Sequence, residues 1–597
     1  STKLSDIIAN KYPGTEKSYS SFASEVTVLD EVHGDFNYRI YMNHILDHGG
    51  YRFFQSGFDP DEKGTKLSVN HDFYGTWVTY IGYSLLYFGM LAILFDRKTR
   101  FADLKRMLNK VKDKKAKALM MLFLFIGLQG FSQDHSQNDG HAHSNRPTKH
   151  QIDSILAANI TPKAHADKFA HLVIQDVGGR MMPINTYASE MLRKLSKHDT
   201  YEEFDANQVF LSIQESPLLW YNVPIIYLKP QKADSIRRLI GVAESQKYVA
   251  LVDFFTENGA YKLAPYLEEA YKAQIPNGFQ KEFKETDQRV NLLYNTIEGY
   301  ALRIFPIPDD ENNKWISSVE YRRDGYRDKI NDSLYGNFIN NGFSAYLMTL
   351  NAAKQSGDFT KAEELLGSFK KTQHKFGSSV MLSDKKIQAE LNYNKYDIFK
   401  RLYSWYMYAS AIMFLLIIFQ IFKERSKALK ISINVFKVII WVFFGLHTLG
   451  LIVRWYISGH APWSDAYESM IYVAWATMLF GLIFGRKSDL TIAATAFVTS
   501  MILMVAHWNW MDPSIANLQP VLDSYWLMIH VAVIVASYGP FTLGMILGVV
   551  SLLLMIFTTK ENKSKMLLNI QELTLINEMA LTVGLVLLTI GNFLGGM

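Results

Sequence analysis

Apolar runs of about 20 residues, the length a bilayer core roughly 30 Å thick requires of a helix, crowd the second half of the chain. They predict spans at 403–422, 433–457, 466–484, 490–507, 525–557 and 579–597. One further run, Tyr74–Phe95, stands apart near the start and ends in Asp96-Arg97-Lys98. A shorter run, Ala118–Phe131, predicts a second early span returning the chain. Ahead of these, residues 1–73 are polar. Tyr51–Phe58 and Thr65–Val69 have the aromatic or alternating pattern of strands, and the turn-rich Asp59–Gly64 separates them. Between 133 and 398 the helical period dominates without spanning runs. Phe343–Phe376 reads there as a helix pair joined at Gln355–Phe359, of the tetratricopeptide kind. The expected fold is mainly α. It is a polytopic membrane helix bundle with a small β-rich extracytoplasmic piece at the N-terminus and a helical extracytoplasmic insert.

Charge orients these elements. Arg97–Lys117 holds ten Lys or Arg against two acids, which marks a basic cytoplasmic linker at 96–117. A basic stretch, an apolar core and a small-residue exit also describe a secretory signal, but an internal position favours a second span at 118–132. Lys423–Lys430, Gly485–Lys487 and Lys560–Lys565 are basic and read as cytoplasmic. Ser458–Asp465 and Trp508–Ser524 lack Lys and Arg and read as external. The domains expected are 1–73, β-rich and extracytoplasmic; 74–95, a span; 96–117, the linker; 118–132, a span; 133–398, the helical insert; and 399–597, the bundle. The chain opens at Ser1 without an initiator Met and stops at Met597 inside an apolar run, so both ends are expected to be cut.

Composition narrows the chemistry. The net charge of +5 forms no continuous basic face, so nucleic acid is set aside as a partner. No cysteine is present, which excludes thiolate metal sites, disulfides and a thiol nucleophile. No phosphate loop, zinc signature or hydrolytic triad appears, and no catalytic residue is assigned. The tract Asp134–His143 could bind metal through its histidines, although a solvated linker is favoured.

Histidines and tryptophans gather at the external connections: His460, His507 and His530, with Trp463, Trp508, Trp510 and Trp526. Trp526 and His530 are four residues apart and share a helix face. A neutral imidazole is a good axial ligand for heme iron. The tryptophans also fit an interfacial aromatic belt, whereas an ionisable group inside a span is costly and usually functional. That argument makes His530 the leading heme-iron ligand, with Trp526, His447 and His507 as further heme-binding candidates. His447 lies mid-span, and either bonds to a neighbouring helix or serves a heme path. Arg454 follows it two turns later. In the hairpin Arg454–Ser469, Pro462 stops the first helix, Ser464 or Asp465 caps the next, and Glu468 suits its positive end.

Arg454–Ser469, followed by Tyr472-Val-Ala-Trp475, strongly resembles the CcsA family of cytochrome c biogenesis proteins. Ser524-Tyr-Trp-Leu-Met-Ile-His530-Val looks like that family's Trp-Leu-x-x-His-Val helix. Tyr51–Ser56 with Asp59-Pro-Asp61 and Leu67–Asn70 is similar to the end of a ResB/CcsB domain. The order implies a fused CcsBA protein, a System II cytochrome c synthase. The resemblance implies heme export across a bacterial inner membrane and binding of the heme (heme b) on the periplasmic side. It further implies covalent attachment of that heme to the Cys-x-x-Cys-His of apocytochrome c. His530 matches the family's first external ligand, whereas His447 matches none. The Trp-rich signature and second external His would lie beyond Met597, and further CcsB spans before Ser1, so ligation is expected of the full-length heme lyase and not of this stretch. Apocytochrome c, a thiol-disulfide reductant that keeps it reduced, and membrane lipid are the implied partners. A heme-delivery or chaperone protein of the CcmC or CcmF type is the alternative, which the ResB-like front end disfavours. A transporter or receptor with an unrelated soluble domain is a third reading. The insert 133–398 is expected to dock the apocytochrome or its reductant.

Overall fold

The computed structural model describes residues 2–31, 34–117, 149–422, 426–508, 511–560 and 563–596. The span expected at 118–132, the histidine tract 134–143 and Trp510 lie outside them. The chain divides into two compact units, one comprising 1–10, 19–133 and 395–597, the other 11–18 and 134–394.

The first unit opens with antiparallel strands. β1 (Thr2–Lys11), β2 (Tyr19–Val28) and β3 (Phe36–Tyr41) form one sheet, and β4 (Leu46–His48), β5 (Tyr51–Phe58) and β6 (Thr65–Asn70) a second. The strands predicted at Tyr51–Phe58 and Thr65–Val69 are β5 and β6, whose pairing is interrupted by a bulge between Gln55 and Gly57. Val26, Val28, Ile40 and Leu46 are buried, with Phe53 and Leu67 packed against them.

Asp72 then accepts the Gly75 N–H at 2.7 Å and caps α1 (Phe73–Phe95). None of the 23 residues of α1 is buried. A helix this apolar with no buried face suits lipid on its open sides. Within the stretch expected as a basic linker at 96–117 the chain forms a helix, α2 (Arg100–Lys117). Its basic residues hid an apolar stripe, Phe101, Leu104, Leu108 and Val111, at helical spacing. Leu104 and Leu108 are buried among Leu543, Leu547, Leu573 and Ile576.

The bundle follows as α3 (Ile398–Phe422), α4 (Lys427–Ser458), α5 (Ala466–Phe484), α6 (Asp489–Ala506), α7 (Tyr525–Ile556) and α8 (Lys563–Gly595). Among the described residues seven helices are long and apolar enough to cross a membrane, and the protein is a polytopic membrane protein. α3 starts five residues before the span expected at 403, because Phe399, Leu402, Tyr406, Ala409 and Met413 form a single buried stripe. The last helix starts at Lys563, sixteen residues before the expected 579. Polar residues there lowered the hydropathy, but Met566, Ile570, Leu573 and Ile576 keep helical spacing and are buried. Small residues set the crossings, as is usual where lipid removes the hydrophobic drive between helices. A Cβ at Gly481 of α5 would run into Thr495 of α6. One at Gly539 of α7 would stand 2.7 Å from the Ala476 backbone of α5.

The second unit is mainly helical, with short two-stranded antiparallel pairs such as Val173–Gln175 with Met181–Pro183. Its core gathers Phe169, Phe210, Trp220, Phe254, Leu293, Tyr346 and Phe369, all buried. The helix pair expected over 343–376 comprises helices Ser333–Ser356 and Thr360–Phe376. Gly357 ends the first at φ 77°, where a side chain would be strained.

Candidate functional site

The sequence candidates converge where α4 turns into α5 and α6 into α7. Gly459 ends α4 with φ 81°, so the left-handed glycine terminates the helix three residues before Pro462, the expected stop. Asp465 is the cap of α5 and accepts the Glu468 N–H at 2.7 Å. Ser464 does not cap; it donates its N–H and O–H to Glu468 Oε2, at 3.0 and 2.6 Å.

Glu468 is therefore more than a favourable charge at a helix start. Its Oε1 accepts from Arg454 Nε at 2.8 Å, and both residues are fully buried. The guanidinium also donates to the carbonyls of Pro513, at 3.0 Å, and Ser514, at 3.3 Å, in the α6–α7 connection. The ring of Tyr467 lies 5.1 Å from the Arg454 Cζ. One buried cation thus joins α4, α5 and that connection. Sequence reasoning missed the pair, since fourteen residues of hairpin separate its members, and the intramembrane cost of an arginine was the signal available.

His507 closes α6. Its Nδ1 donates to Leu503 O at 2.7 Å, and its Nε2 lies 3.5 Å from the Tyr467 hydroxyl, beside the Arg454 cluster. His460 reaches Ala516 O from Nε2 at 3.4 Å. His447 is fully buried, and its Nε2 donates to Ile471 O at 3.0 Å, tying α4 to α5. Its Nδ1 has no hydrogen-bond partner among the described residues.

His530 differs. It is half-buried on the second turn of α7, and its Nδ1 donates to the Trp526 carbonyl at 3.2 Å. A carbonyl only accepts, so Nδ1 carries a proton, and in the neutral ring Nε2 keeps a lone pair, to which the described residues offer no hydrogen bond. Gly595 of α8 faces that ring edge: a Cβ there would come within 3.2 Å of Nε2. Trp526 donates from Nε1 to Leu594 O at 2.9 Å and locks α7 to α8 beside the histidine. Trp463 donates to Met528 O at 3.0 Å and fixes the first turn of α7 from the opposite hairpin. From Trp463 an aromatic ladder descends through Tyr472, 4.8 Å away, to Trp475, 5.6 Å further. Trp508 is exposed and, among the described residues, joins no such contact.

The structure thus gathers Arg454, Glu468, His460 and His507 in one polar cluster, joined through Ser464 and Tyr467, places Trp526 and His530 on the first turns of α7 with Trp463 against them from the hairpin, and leaves His447 deeper in the helices. Above them, Phe22, Arg39, Tyr41, Asn43, Asp523 and Tyr525 line a cavity of about 590 Å³ between β2–β3 and the start of α7. Asn43 hydrogen-bonds Ser524, the cap of α7.

Residues 463–597 match the family of cytochrome C assembly proteins. Protein NrfI of Wolinella succinogenes is 34% identical over 596 residues, which covers 98% of this chain and 62% of that protein. Cytochrome c biogenesis protein CcsA of Piper cenocladum is 40% identical over 117 residues, 18% of this chain and 34% of that protein. CcsA of Prochlorococcus marinus is 36% identical over 107 residues, 17% of this chain and 35% of that protein. The chain spans less than two thirds of the length of these relatives. A β-rich front piece, a helical insert and a bundle whose end matches the cytochrome C assembly family thus go with a similarity to NrfI along nearly the whole chain, and the chain resembles a CcsBA-like fused cytochrome c biogenesis protein.

Proposed function

We propose that the protein serves cytochrome c assembly by holding heme, its substrate, at the end of the bundle where α7 begins. His530 is its axial ligand there. The free lone pair of His530 Nε2 is the observation that carries this reading. Nδ1 is committed to Trp526 O, which fixes the tautomer, as second partners of ligating imidazoles do. Gly595 puts no side chain against that ring edge, and His530 and Trp526 are the residues that would hold a planar iron-bearing group. Trp526 offers an aromatic face on the same side of α7.

The CcsA relatives, named cytochrome c biogenesis proteins, support that process. Within it the substrate is heme b exported from the cytoplasm, and the acceptor is the Cys-x-x-Cys-His of an apocytochrome c. Each thiol adds across a heme vinyl group, sulfur to one carbon and the proton to the other, so no oxidant is consumed. Both thiols come from the acceptor, because this chain contains no cysteine, and a thiol-disulfide reductant keeps them reduced. The protein's share is positioning. His530 holds the iron, Trp526 orients the ring, and the insert docks the apocytochrome or its reductant. The basic connections at the opposite helix ends favour an orientation in a bacterial inner membrane with this site on the periplasmic side. Covalent attachment belongs to the full-length lyase.

The test is His530→Ala in the full-length protein, co-expressed with an apocytochrome. Covalent heme on the cytochrome is expected to be lost, and added imidazole to restore part of it by replacing the missing ligand. Wild-type yield without imidazole would refute the assignment.

A further inference from the structure

We infer that Arg454 is a positioning residue for heme binding: it clamps the 511–524 connection and thereby sets where α7 starts and where His530 stands. The inference rests on the reading of His530 as the ligand.

Three observations carry it. First, the guanidinium is fully buried and pairs with Glu468 at 2.8 Å, with Asp465 further off at 4.0 Å. Second, its two terminal nitrogens reach beyond the helices that hold it. They reach the carbonyls of Pro513 and Ser514, backbone acceptors of a connection without regular structure until Pro520. Bonds from an ionised donor are about twice as strong as neutral ones. The neutral contact of His460 with Ala516 O, at 3.4 Å, is the weaker neighbour. Third, the clamped connection leads within ten residues to Ser524. That residue caps α7 by accepting the Leu527 N–H at 3.2 Å, and His530 follows six residues later.

A role in packing alone would need no charge, because a buried ion pair replaced by apolar side chains of similar volume is often neutral or stabilising. Arginine is demanded where one planar fork must satisfy a carboxylate and two carbonyls together. Lysine, with a compact ammonium, does not reproduce that geometry.

The experiment compares full-length protein carrying Arg454→Gln with Glu468→Gln, Arg454→Lys, His530→Ala, or no change. Amide exchange across 511–523 is read in heme-free protein, and heme per protein after purification is read from the Soret band. The double variant removes both charges and so avoids an unpaired buried ion. It is expected to fold, to exchange the 511–523 amides at least about tenfold faster, and to retain several-fold less heme, part of which returns with imidazole. Arg454→Lys should fall between it and the wild type in both readouts. Wild-type exchange in the double variant, or faster exchange with wild-type heme retention, overturns the inference. If the double variant does not fold, Arg454→Lys decides: wild-type behaviour in both readouts overturns it. Undiminished heme in His530→Ala sinks the reading of that ligand and the heme half of this inference. The exchange data then still judge the clamp.

Discussion

Gly539 offers the sharpest test of how the bundle holds its site. A Cβ placed there would stand 2.7 Å from the Ala476 carbonyl carbon and 2.8 Å from the Thr477 nitrogen. Contacts of this kind become ordinary only from 3.4 Å, so α5 and α7 must part by about 0.7 Å, and no side chain can rotate aside to relieve the clash. Overpacking of this sort costs about 1–3 kcal/mol. Alanine recovers up to about 1 kcal/mol over glycine in a helix, leaving a net loss of about 0–2 kcal/mol for Gly539→Ala. Gly445, in α4, is the control, because a Cβ there meets nothing within 4 Å. Gly445→Ala should be neutral or gain up to about 1 kcal/mol. His530 lies nine residues from Gly539, about 13 Å along α7, so the shift also displaces the ligand. Thermal unfolding in detergent, read with the Soret band of the full-length protein, checks both. Gly539→Ala should lower the midpoint and the heme content, and Gly445→Ala neither. Equal midpoints for the two variants would refute the argument from close backbone approach.

Three further outcomes are expected. Gly595→Ala puts a methyl within 3.2 Å of His530 Nε2 and should shift or weaken the Soret band while leaving the unfolding midpoint nearly unchanged. In the insert, Arg180 donates to Glu390 Oε1 at 2.6 Å with both side chains buried. Arg180→Met should therefore cost about 3–5 kcal/mol by stranding the carboxylate, and Arg180→Met with Glu390→Leu should recover most of it in denaturant unfolding. His165 is buried against the Tyr346 hydroxyl at 3.0 Å; burial, with Lys168 adding to it and Glu363 opposing, holds its imidazole below the usual range. The unfolded chain then binds more protons in the window just below about pH 6.5, so stability falls as the pH drops through it. His165→Gln should flatten that slope in Trp fluorescence unfolding curves.

The period and length of the apolar runs were enough to place the bundle helices, because a span must satisfy its own backbone and fill its own length of bilayer. β5 and β6 were equally legible, since Asp59–Gly64 breaks the chain between two patterned runs. Hydropathy failed where helix surface meets protein rather than lipid. It dismissed α2 and the first four turns of α8 as polar, yet Leu104, Leu108, Leu573 and Ile576 bury against one another. The same division governs the site. That Trp526 and His530 share a face follows from the helical repeat alone. Which nitrogen of His530 is left free depends on the Trp526 carbonyl. That Glu468 pairs with Arg454, and that the arginine holds the Pro513 and Ser514 carbonyls, depends on three segments meeting in space. A sequence records which charges enter the membrane; only the packed helices decide which partners make those charges tolerable.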